Sequence, residues 1–422
     1  MTRRRIFLGA FGDPGHAFPM LALGSELAAR GHEVTLETWE RWHAYVEQAG
    51  MRFVAAPEYP VFPTRDRPLK PYEAVVLATA QTRHAVRECG PDVVVHDNLT
   101  LAPALAAELE GVPSATLVPH VYPVGAPGLP PYALGARPAR TAPGHAMWRL
   151  LGWPVQAGLR RGRAELNETR EKLGLAPVGR LYGGLSDRLC IVGTFPQLEY
   201  PRAWPAEVQV VGPLLWEPPY GDVERPVGSR PLVLVTPSTA QDPDQMLLRT
   251  TLTALAREPV RVLGTWNRRP PPVTMSVPAN ARLVEWMSYA RTMPGAALVI
   301  CHGGHGTMVR ALASGAPVLV VPHSGDMAEN AARADWAGVG VRLPWRLLGR
   351  RSLRLAVRRA LEDPGLAERA RGFAAWGSEH DGTARAADLV EELAAGSQPE
   401  AHAEGATGVN GVSRRDARER TR

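Results

Sequence analysis

Two glycine-rich turns in this 422-residue chain carry histidines, a residue type that serves both proton transfer and anion binding. Residues 9–15 form the first turn, which His16 follows, and residues 302–307 form the second, His-Gly-Gly-His-Gly-Thr. Imidazole, with an unperturbed pKa of about 6.5, is mostly neutral at pH 7 and can accept a proton. Glycines let a ligand approach the backbone, and the free amides of a helix N-terminus attract anions. The turns therefore suggest a general base and a diphosphate site, with a helix-capping histidine and a tight strand-to-helix connection as the plain alternatives.

The elements around both turns alternate between strand and helix. Before residue 120, strand patterns occur at 5–9, 33–38, 92–96 and 114–118, and helix patterns at 18–30, 72–88 and 101–109. After residue 231, strand patterns occur at 232–235, 260–263, 281–284, 298–300 and 318–321, and helix patterns at 245–257, 307–314, 329–337, 352–361 and 383–395. This order predicts an α/β chain with two Rossmann-like, doubly wound parallel-sheet domains.

Composition suggests the domain boundaries. Residues 211–231 are rich in proline and glycine and predict a linker between a domain at 1–210 and a domain at 232–375. Residues 396–422 have almost no apolar side chains and predict a disordered tail. The strand–helix rhythm breaks at 120–163, where proline, glycine and aromatic residues suggest an irregular segment that either lines a binding site or is a surface excursion.

Charge and cysteine content exclude several classes of protein. Hydrophobic residues make up 45% and charged residues 21% of the chain, and no apolar run approaches the ~18 residues of a membrane span. The start lacks a signal-peptide pattern, and Cys89, Cys190 and Cys301 are too scattered for a disulfide framework or a zinc site, so we expect a reducing cytoplasm. The net charge of +6 comes from dispersed arginines, which disfavours nucleic acid, and Lys70 and Lys172 are the only lysines for a Schiff base.

The order and spacing of residues 299–331 resemble the inverting nucleotide-sugar glycosyltransferases of family 1. The second turn is followed by Ala-Leu-Ala-Ser-Gly-Ala-Pro at 311–317, then by Pro322, Asp326-Met327 and Asn330-Ala331. The resemblance implies a GT-B architecture, in which two Rossmann-like domains face across a cleft and the C-terminal domain holds the donor. It also implies that a C-terminal helix, at 376–395, crosses back to the first domain.

The resemblance implies a role for each donor-site residue. His302 would contact the pyrophosphate, His305 the donor sugar, and Asp326 the sugar hydroxyls. The remaining donor residues would be Gly304, Gly306 and Thr307 in the phosphate turn, Ser238 and Thr239 at the phosphates, and Trp286 and Met287 at the nucleobase, where Trp286 could instead be a core residue. Pro237 replaces the family's usual glycine before the hydroxyl residues, which weakens that assignment.

One donor position departs from the family pattern. The residue after Asp326 is commonly glutamine in the family, but here it is Met327, whose thioether cannot make the hydrogen bonds of an amide. We therefore hypothesise that the donor is a deoxysugar nucleotide or that the glucose contact is made elsewhere.

The first turn matches the family's Gly-His-x-x-Pro pattern as Gly15-His16-Ala17-Phe18-Pro19. The resemblance implies that His16 is the general base and that Asp97 orients it, with Asp13 as the second candidate. Acceptor contacts are expected from Phe18, His120 and Tyr122. The implied reaction moves a sugar from a UDP- or TDP-sugar to a hydroxyl of a small, mostly apolar natural product, with inversion.

The expected enzyme needs no metal and no cofactor beyond its nucleotide-sugar co-substrate. Asp242-Pro-Asp244 has the spacing of a metal-binding Asp-x-Asp motif, but it precedes a helix pattern and is better explained as an N-cap. Alternatives are a lipid-acceptor transferase at a membrane surface, a non-catalytic sugar-nucleotide-binding auxiliary protein and a sugar-nucleotide epimerase. An NAD(P)-dependent oxidoreductase, with Glu37 at the ribose, is also open, although the first turn reads Gly-x-x-Gly-x-x-Gly.

Overall fold

A computed structural model describes residues 2–57, 73–238, 242, 244–266, 270, 275–323 and 325–396. Within them the chain forms two separate sheets, of seven and six strands, in which every paired strand is parallel. The predicted fold class, two doubly wound parallel-sheet domains, is confirmed. Thr239, Lys70 and residues 397–422 of the predicted tail lie outside the described residues.

The first sheet has the strand order β3-β2-β1-β4-β5-β6-β7. Its strands are β1 Arg5–Gly9, β2 Glu33–Thr38, β3 Arg52–Ala55, β4 Val93–Asp97, β5 Ser114–Val118, β6 Cys190–Val192 and β7 Val208–Val210. Its helices are α1 Pro14–Ala29, α2 His43–Gln48, α3 Glu73–Cys89, α4 Ala102–Leu109 and α5 Ala142–Lys172. Strand β4 is buried along its whole length, as expected of a central strand covered by helices on both faces.

The second sheet has the strand order β10-β9-β8-β11-β12-β13. Its strands are β8 Leu232–Thr236, β9 Arg261–Thr265, β10 Ala281–Val284, β11 Leu298–Cys301, β12 Val318–Val320 and β13 Gly340–Arg342. The helices that follow in sequence are α6 Met246–Leu255, α7 Tyr289–Thr292, α8 His305–Ala313, α9 Asp326–Trp336, α10 Arg350–Glu362, α11 Pro364–Glu379 and α12 Gly382–Ala394.

The polypeptide between the sheets, at 211–231, contains no helix or strand. Glu217 in this segment accepts hydrogen bonds from the Ser288 hydroxyl (2.5 Å) and the Tyr289 amide (3.0 Å), and its carboxylate lies 3.5 Å from the Arg310 guanidinium. These contacts tie the connecting segment to the start of α7 and to α8.

The last helix returns to the first sheet. Leu389, Val390 and Leu393 of α12 are buried in one core cluster with strands β1 and β4. At the end of α1, Arg30 pairs with Asp388 at 2.7 Å and Glu391 at 3.1 Å. The segment 376–395 is not the single helix expected, because α11 ends at Glu379 and Asp381 caps a separate helix α12.

The segment at 120–163 differs from its prediction. It is irregular only up to Thr141, which caps α5, and the remainder belongs to a 31-residue helix. Pro143 lies in the first turn, where its missing amide costs nothing, and Pro154 is accommodated inside the helix. Turn-forming composition therefore misled the sequence interpretation.

No helix among the described residues is long and apolar enough to cross a membrane.

Candidate active site

His16 and Asp97 meet at the carboxyl-terminal edge of the first sheet, where open α/β sheets bind ligands. His16 lies in the first turn of α1, directly after β1 and its glycine-rich turn, while Asp97 is the last residue of the neighbouring strand β4. The Nδ1 atom of His16 is 3.2 Å from Oδ1 of Asp97. The other candidate partner, Asp13, is exposed and instead faces the Arg41 guanidinium at 3.4 Å.

The Asp97 carboxylate is completely buried and held by several donors. The Phe11 amide, the Leu99 amide (2.6 Å) and the Thr100 hydroxyl (2.9 Å) donate to its oxygens. Burial alone would raise the pKa of this carboxyl, but the contact with His16 and the amide hydrogen bonds outweigh it and hold the pKa below its usual range. Asp97 is therefore a fixed, ionised partner for the imidazole.

A clamp that the sequence analysis did not identify holds the turn before His16. The carbonyl of Gly12 accepts hydrogen bonds from the Arg41 guanidinium and from the Trp42 indole (2.8 Å). The guanidinium of Arg41 also stacks between the rings of Trp39 and Trp42, at 4.8 and 5.0 Å from their centroids. The Trp39 ring leaves no room for a Cβ at Gly12. The cluster Trp39–Trp42 was the available signal, because tryptophans beside an arginine favour cation–π stacking.

His120 lies beside His16, with ring centroids 6.2 Å apart, and stacks on Tyr132 at 6.1 Å. Its Nδ1 donates to the Val121 carbonyl at 2.8 Å and its Nε2 accepts from the Asn98 amide at 3.1 Å. Burial, together with nearby His16, lowers the pKa of His120 to about 4. His120 is thus a neutral ring with both nitrogens engaged, so it is suited to contact an acceptor but not to act as a base. Asn98 and Tyr132 were missing from the predicted site.

The other two predicted acceptor residues lie in different surroundings. Phe18 is half-buried and packs against Trp42 and Trp216, on the side of α1 next to the connecting segment. Tyr122 is 5% exposed and its ring packs against Trp204 and the guanidinium of Arg202, so the structure does not bring it beside His16. Its acceptor role stays a prediction that this packing does not favour.

The second turn connects β11 to α8. Gly303 has a φ of +96°, which favours glycine, and a Cβ at Gly304 would lie 2.5 Å from Nε2 of His302. His302 therefore folds over Gly304, with its Nδ1 3.5 Å from the Thr236 carbonyl, and burial lowers its pKa. Gly306 has nothing within 4 Å of a Cβ position, so the space in front of the first turn of α8 is open.

His305, the first residue of α8, is buried against the other domain. Burial, with a contribution from His120, lowers its pKa to about 3. Its Nδ1 is 3.4 Å from Oδ1 of Asn330, and the carbonyl of Gly193, after β6 of the first sheet, also faces the ring. A neutral imidazole carries one N–H and cannot satisfy both acceptors, so one of these groups is left to a ligand or water.

Asp326 and Met327 begin α9. Asp326 is exposed, whereas Met327 is 7% exposed, and its carbonyl oxygen and Cβ lie beside Gly303 of the second turn. Both residues belong to the same corner of the second sheet as His302 and His305.

The predicted nucleobase residues lie beyond β10. Trp286 is partly exposed and stacks on Tyr220 of the connecting segment with nearly parallel rings (4°) 5.8 Å apart. Met287 is buried in the core of the second domain, and Ser238 follows β8. The structure thus places Trp286 at the surface of its domain, although one face of its indole is occupied.

A buried ionic cluster joins the two halves behind the site. Arg333 of α9 pairs with Glu199 at 2.7 Å, across the cleft, and with Glu329 at 2.9 Å in its own helix. Glu199 also accepts the Tyr122 amide at 2.6 Å, so it connects the loop that carries His120 to the helix that begins with Asp326. Glu199 was not found from sequence, because it is 134 residues from Arg333, and the i,i+4 pair Glu329–Arg333 was not singled out.

The structure also bears on two other sequence features, the Asp242-Pro-Asp244 motif with the spacing of a metal site and Glu37 as a candidate ribose ligand. Asp242 accepts the amides of Met246 (2.8 Å) and Leu247 (3.0 Å) at the start of α6, which confirms its interpretation as a cap. Glu37 is buried and accepts the Thr82 hydroxyl at 2.9 Å, with its pKa raised by burial to about 7, so it is not poised to bind a ribose. No group of three or more metal-ligating side chains occurs among the described residues.

Comparison with known proteins places this geometry among sugar-transferring enzymes. Residues 249–395 match the family model of the erythromycin biosynthesis protein CIII-like C-terminal domain. The chain is 30% identical to O-mycaminosyltylonolide 6-deoxyallosyltransferase of Streptomyces fradiae (92% of this chain, 97% of the relative) and 28% identical to 4'-demethylrebeccamycin synthase of Lentzea aerocolonigenes (92% and 99%). The crystal structure of the glycotransferase of kitacinnamycin superposes with a TM-score of 0.74 at 25% identity, covering 93% of this chain and 99% of that one.

Proposed function

This chain belongs to the natural-product glycosyltransferases of family 1, and on that premise we propose that it transfers a sugar, with inversion, from a UDP- or TDP-sugar to a hydroxyl of a small, mostly apolar acceptor. The observation that carries the proposal is the His16–Asp97 pair, in which an accessible edge of an imidazole is backed by a buried carboxylate.

His16 is the general base of the proposed reaction. Asp97 holds the Nδ1 proton, so Nε2 carries the lone pair that takes the proton of the acceptor hydroxyl. The oxygen attacks the anomeric carbon as the bond to the diphosphate breaks, and the electron pair leaves with the diphosphate. The imidazolium that forms is stabilised by the Asp97 carboxylate, and base catalysis of this kind contributes about 10²- to 10⁴-fold in rate.

The second turn holds the diphosphate. The free amides at the start of α8 border the open space in front of Gly306, where a dianion gains from the helix dipole, and Thr307 follows in the same helical turn. His302 is neutral without a ligand, and a bound diphosphate raises its pKa, so that Nε2 takes a proton and donates to a phosphate oxygen. These groups stabilise the charge of the departing diphosphate without a metal ion.

The donor is a deoxysugar nucleotide. Met327 supports this because it puts a buried thioether where an amide would read a hydroxyl, beside Asp326 as the remaining acceptor for sugar hydroxyls. The name of the Streptomyces fradiae relative, a 6-deoxyallosyltransferase, agrees with this choice. The acceptor lies beside the rings of His16, His120 and Tyr132, whose aromatic surfaces favour a mostly apolar molecule.

The test compares His16→Ala with His84→Ala, a histidine that is 75% exposed on α3 and pairs with Glu88. We measure turnover with TDP- and UDP-deoxysugars and a panel of polycyclic aromatic and macrolide acceptors, and nucleotide affinity by thermal shift with UDP, TDP, GDP and NAD. His16→Ala is expected to lower turnover by about 10²- to 10⁴-fold while nucleotide affinity stays within a few-fold. A fully active His16→Ala enzyme would remove the base assignment, and stabilisation by NAD alone would overturn the proposed function.

A further inference from the structure

The first six turns of α5, residues 142–163, lie at the surface of the protein. The buried residues of this 31-residue helix are Leu166, Thr169 and Arg170, all near its C-terminal end. Over residues 142–163 every described side chain is exposed or only partly buried. Isolated helices are marginal in water, and helices in proteins usually gain their stability from a packed apolar face. The exposed face of this segment therefore has no packing partner among the described residues of the chain.

That face is apolar. Met147, Leu151 and Val155 follow one another at four-residue intervals, with exposed fractions of 46%, 45% and 39%. At about 100° per residue, Leu150 (69% exposed) extends the same stripe to roughly 140° of the helix circumference. Trp153, 76% exposed, lies about 60° beyond Leu150, on the side of the helix that carries the arginines. A stripe of this width is typical of a helix that packs on an apolar surface.

The opposite face is basic. Arg149 and Arg160 lie on the side of the helix away from Met147, and the sequence contains no aspartate or glutamate between residues 142 and 164. Two further arginines belong to the same segment: Arg161 pairs with Glu165 at 3.2 Å and Arg163 donates to the Gly179 carbonyl at 2.6 Å. The segment is thus strongly positive, and its complement is an anionic surface.

We propose that residues 142–163 of α5 form an interfacial helix that docks the enzyme on an anionic phospholipid bilayer. The stripe Met147–Leu150–Leu151–Val155 enters the boundary between headgroups and acyl chains, Trp153 lies at the headgroup level, and Arg149 and Arg160 face lipid phosphates. An apolar stripe on one face, arginines on the other and a tryptophan between them are typical of helices that lie in a membrane interface. The docking is peripheral, and it concerns where the enzyme works, not the class of its acceptor.

The experiment is co-sedimentation of the full chain with vesicles of equal parts phosphatidylglycerol and phosphatidylcholine, and with vesicles of phosphatidylcholine alone. We expect binding to the anionic vesicles only, weakened at least tenfold as salt shortens the screening length from about 10 Å at 0.1 M to about 3 Å at 1 M. The double variant Leu150→Glu/Leu151→Glu is expected to lose at least tenfold in vesicle affinity, with an unchanged circular-dichroism melting curve because both side chains are exposed.

The matched control is the double variant Leu347→Glu/Leu355→Glu, which adds the same two negative charges. Leu347 and Leu355 are 55% and 62% exposed, and Leu355 also lies among arginines, on α10, where Arg354 and Arg358 face Glu258. This variant should bind anionic vesicles as the parent protein does. Equal losses in both variants would mean that vesicle binding follows net charge alone, which overturns the proposal. No binding to anionic vesicles would overturn the proposal. A parent dimer that Leu150→Glu/Leu151→Glu converts to monomer in size-exclusion light scattering would overturn it too and would assign the stripe to a second copy of the chain.

Discussion

The two glycine-rich turns follow central strands of the two sheets, β1 in the first and β11, which takes the place of β4, in the second, and their histidines are in opposite electrostatic surroundings. Each turn follows a central strand and leads into a helix, α1 or α8. His16 faces a buried carboxylate, whereas His302 and His305 are buried beside carbonyl and amide oxygens and their pKa values are lowered. A glycine-rich strand-to-helix turn therefore places its histidine beside a buried carboxylate in one domain and beside neutral oxygens in the other, which fits the proposed roles of general base and neutral ligand.

Asp97 supplies the negative charge beside His16. We therefore expect its loss to have the largest effect on turnover. Asp97→Asn keeps the shape but removes the negative charge that stabilises the imidazolium, and we expect turnover to fall by about 10²- to 10⁴-fold. Asp13→Asn is the matched control, since Asp13 lies in the same turn but faces Arg41. Steady-state kinetics of the two variants check this, and similar losses in both would contradict the assignment of Asp97.

Asp97→Asn also has a consequence for stability. The pKa of Asp97 is lower in the folded protein than its unfolded value of about 3.9, so the carboxylate stabilises the fold above that pH and this contribution disappears as the pH falls through the folded pKa. Chemical unfolding at several acidic pH values should show a flatter acid limb for Asp97→Asn than for the parent protein.

A smaller effect, on nucleotide binding, is expected from a substitution in the second turn, where the space in front of α8 is open. Gly306→Ala meets no neighbour within 4 Å and should leave the melting temperature of the free protein unchanged or slightly higher, because alanine favours a helix. It should weaken nucleotide binding about tenfold, or ~1.4 kcal/mol, by placing a methyl group where the diphosphate lies. Isothermal titration with UDP and TDP measures this.

Gly304→Ala provides the contrast to Gly306→Ala. Its Cβ would lie 2.5 Å from His302 and must displace that ring, so this variant should lose both stability and nucleotide affinity. Unchanged nucleotide affinity in Gly306→Ala would move the diphosphate away from the second turn.

The smallest expected effect concerns the choice of sugar. Met327→Gln restores an amide beside Asp326 and should shift the ratio of kcat/KM for a hexose nucleotide over a deoxyhexose nucleotide by about 2- to 10-fold, the value of one hydrogen bond. Met246→Gln, at an exposed methionine of α6, is the control. An unchanged ratio in Met327→Gln would refute the deoxysugar hypothesis.

Much of this protein was determined by local sequence. The strands Arg5–Gly9, Glu33–Thr38, Ser114–Val118 and Ala281–Val284 have the bounds that their apolar patterns predict. Short-range periodicity was thus enough to predict the fold class. The pairing of His16 with Asp97 was implied by the family resemblance, and the structure brings the two side chains together at the carboxyl ends of the neighbouring strands β1 and β4.

Only the tertiary structure decided the remainder. The proline- and glycine-rich composition of residues 142–163 did not predict helix α5. The sequence also did not show that one apolar stripe of this helix is left exposed, because exposure depends on the rest of the fold. The Glu199–Arg333 pair and the neutral states of His120 and His305 depend on burial between distant segments. Desolvation and long-range pairing depend on which surfaces come together in space, and no local pattern in the chain specifies that.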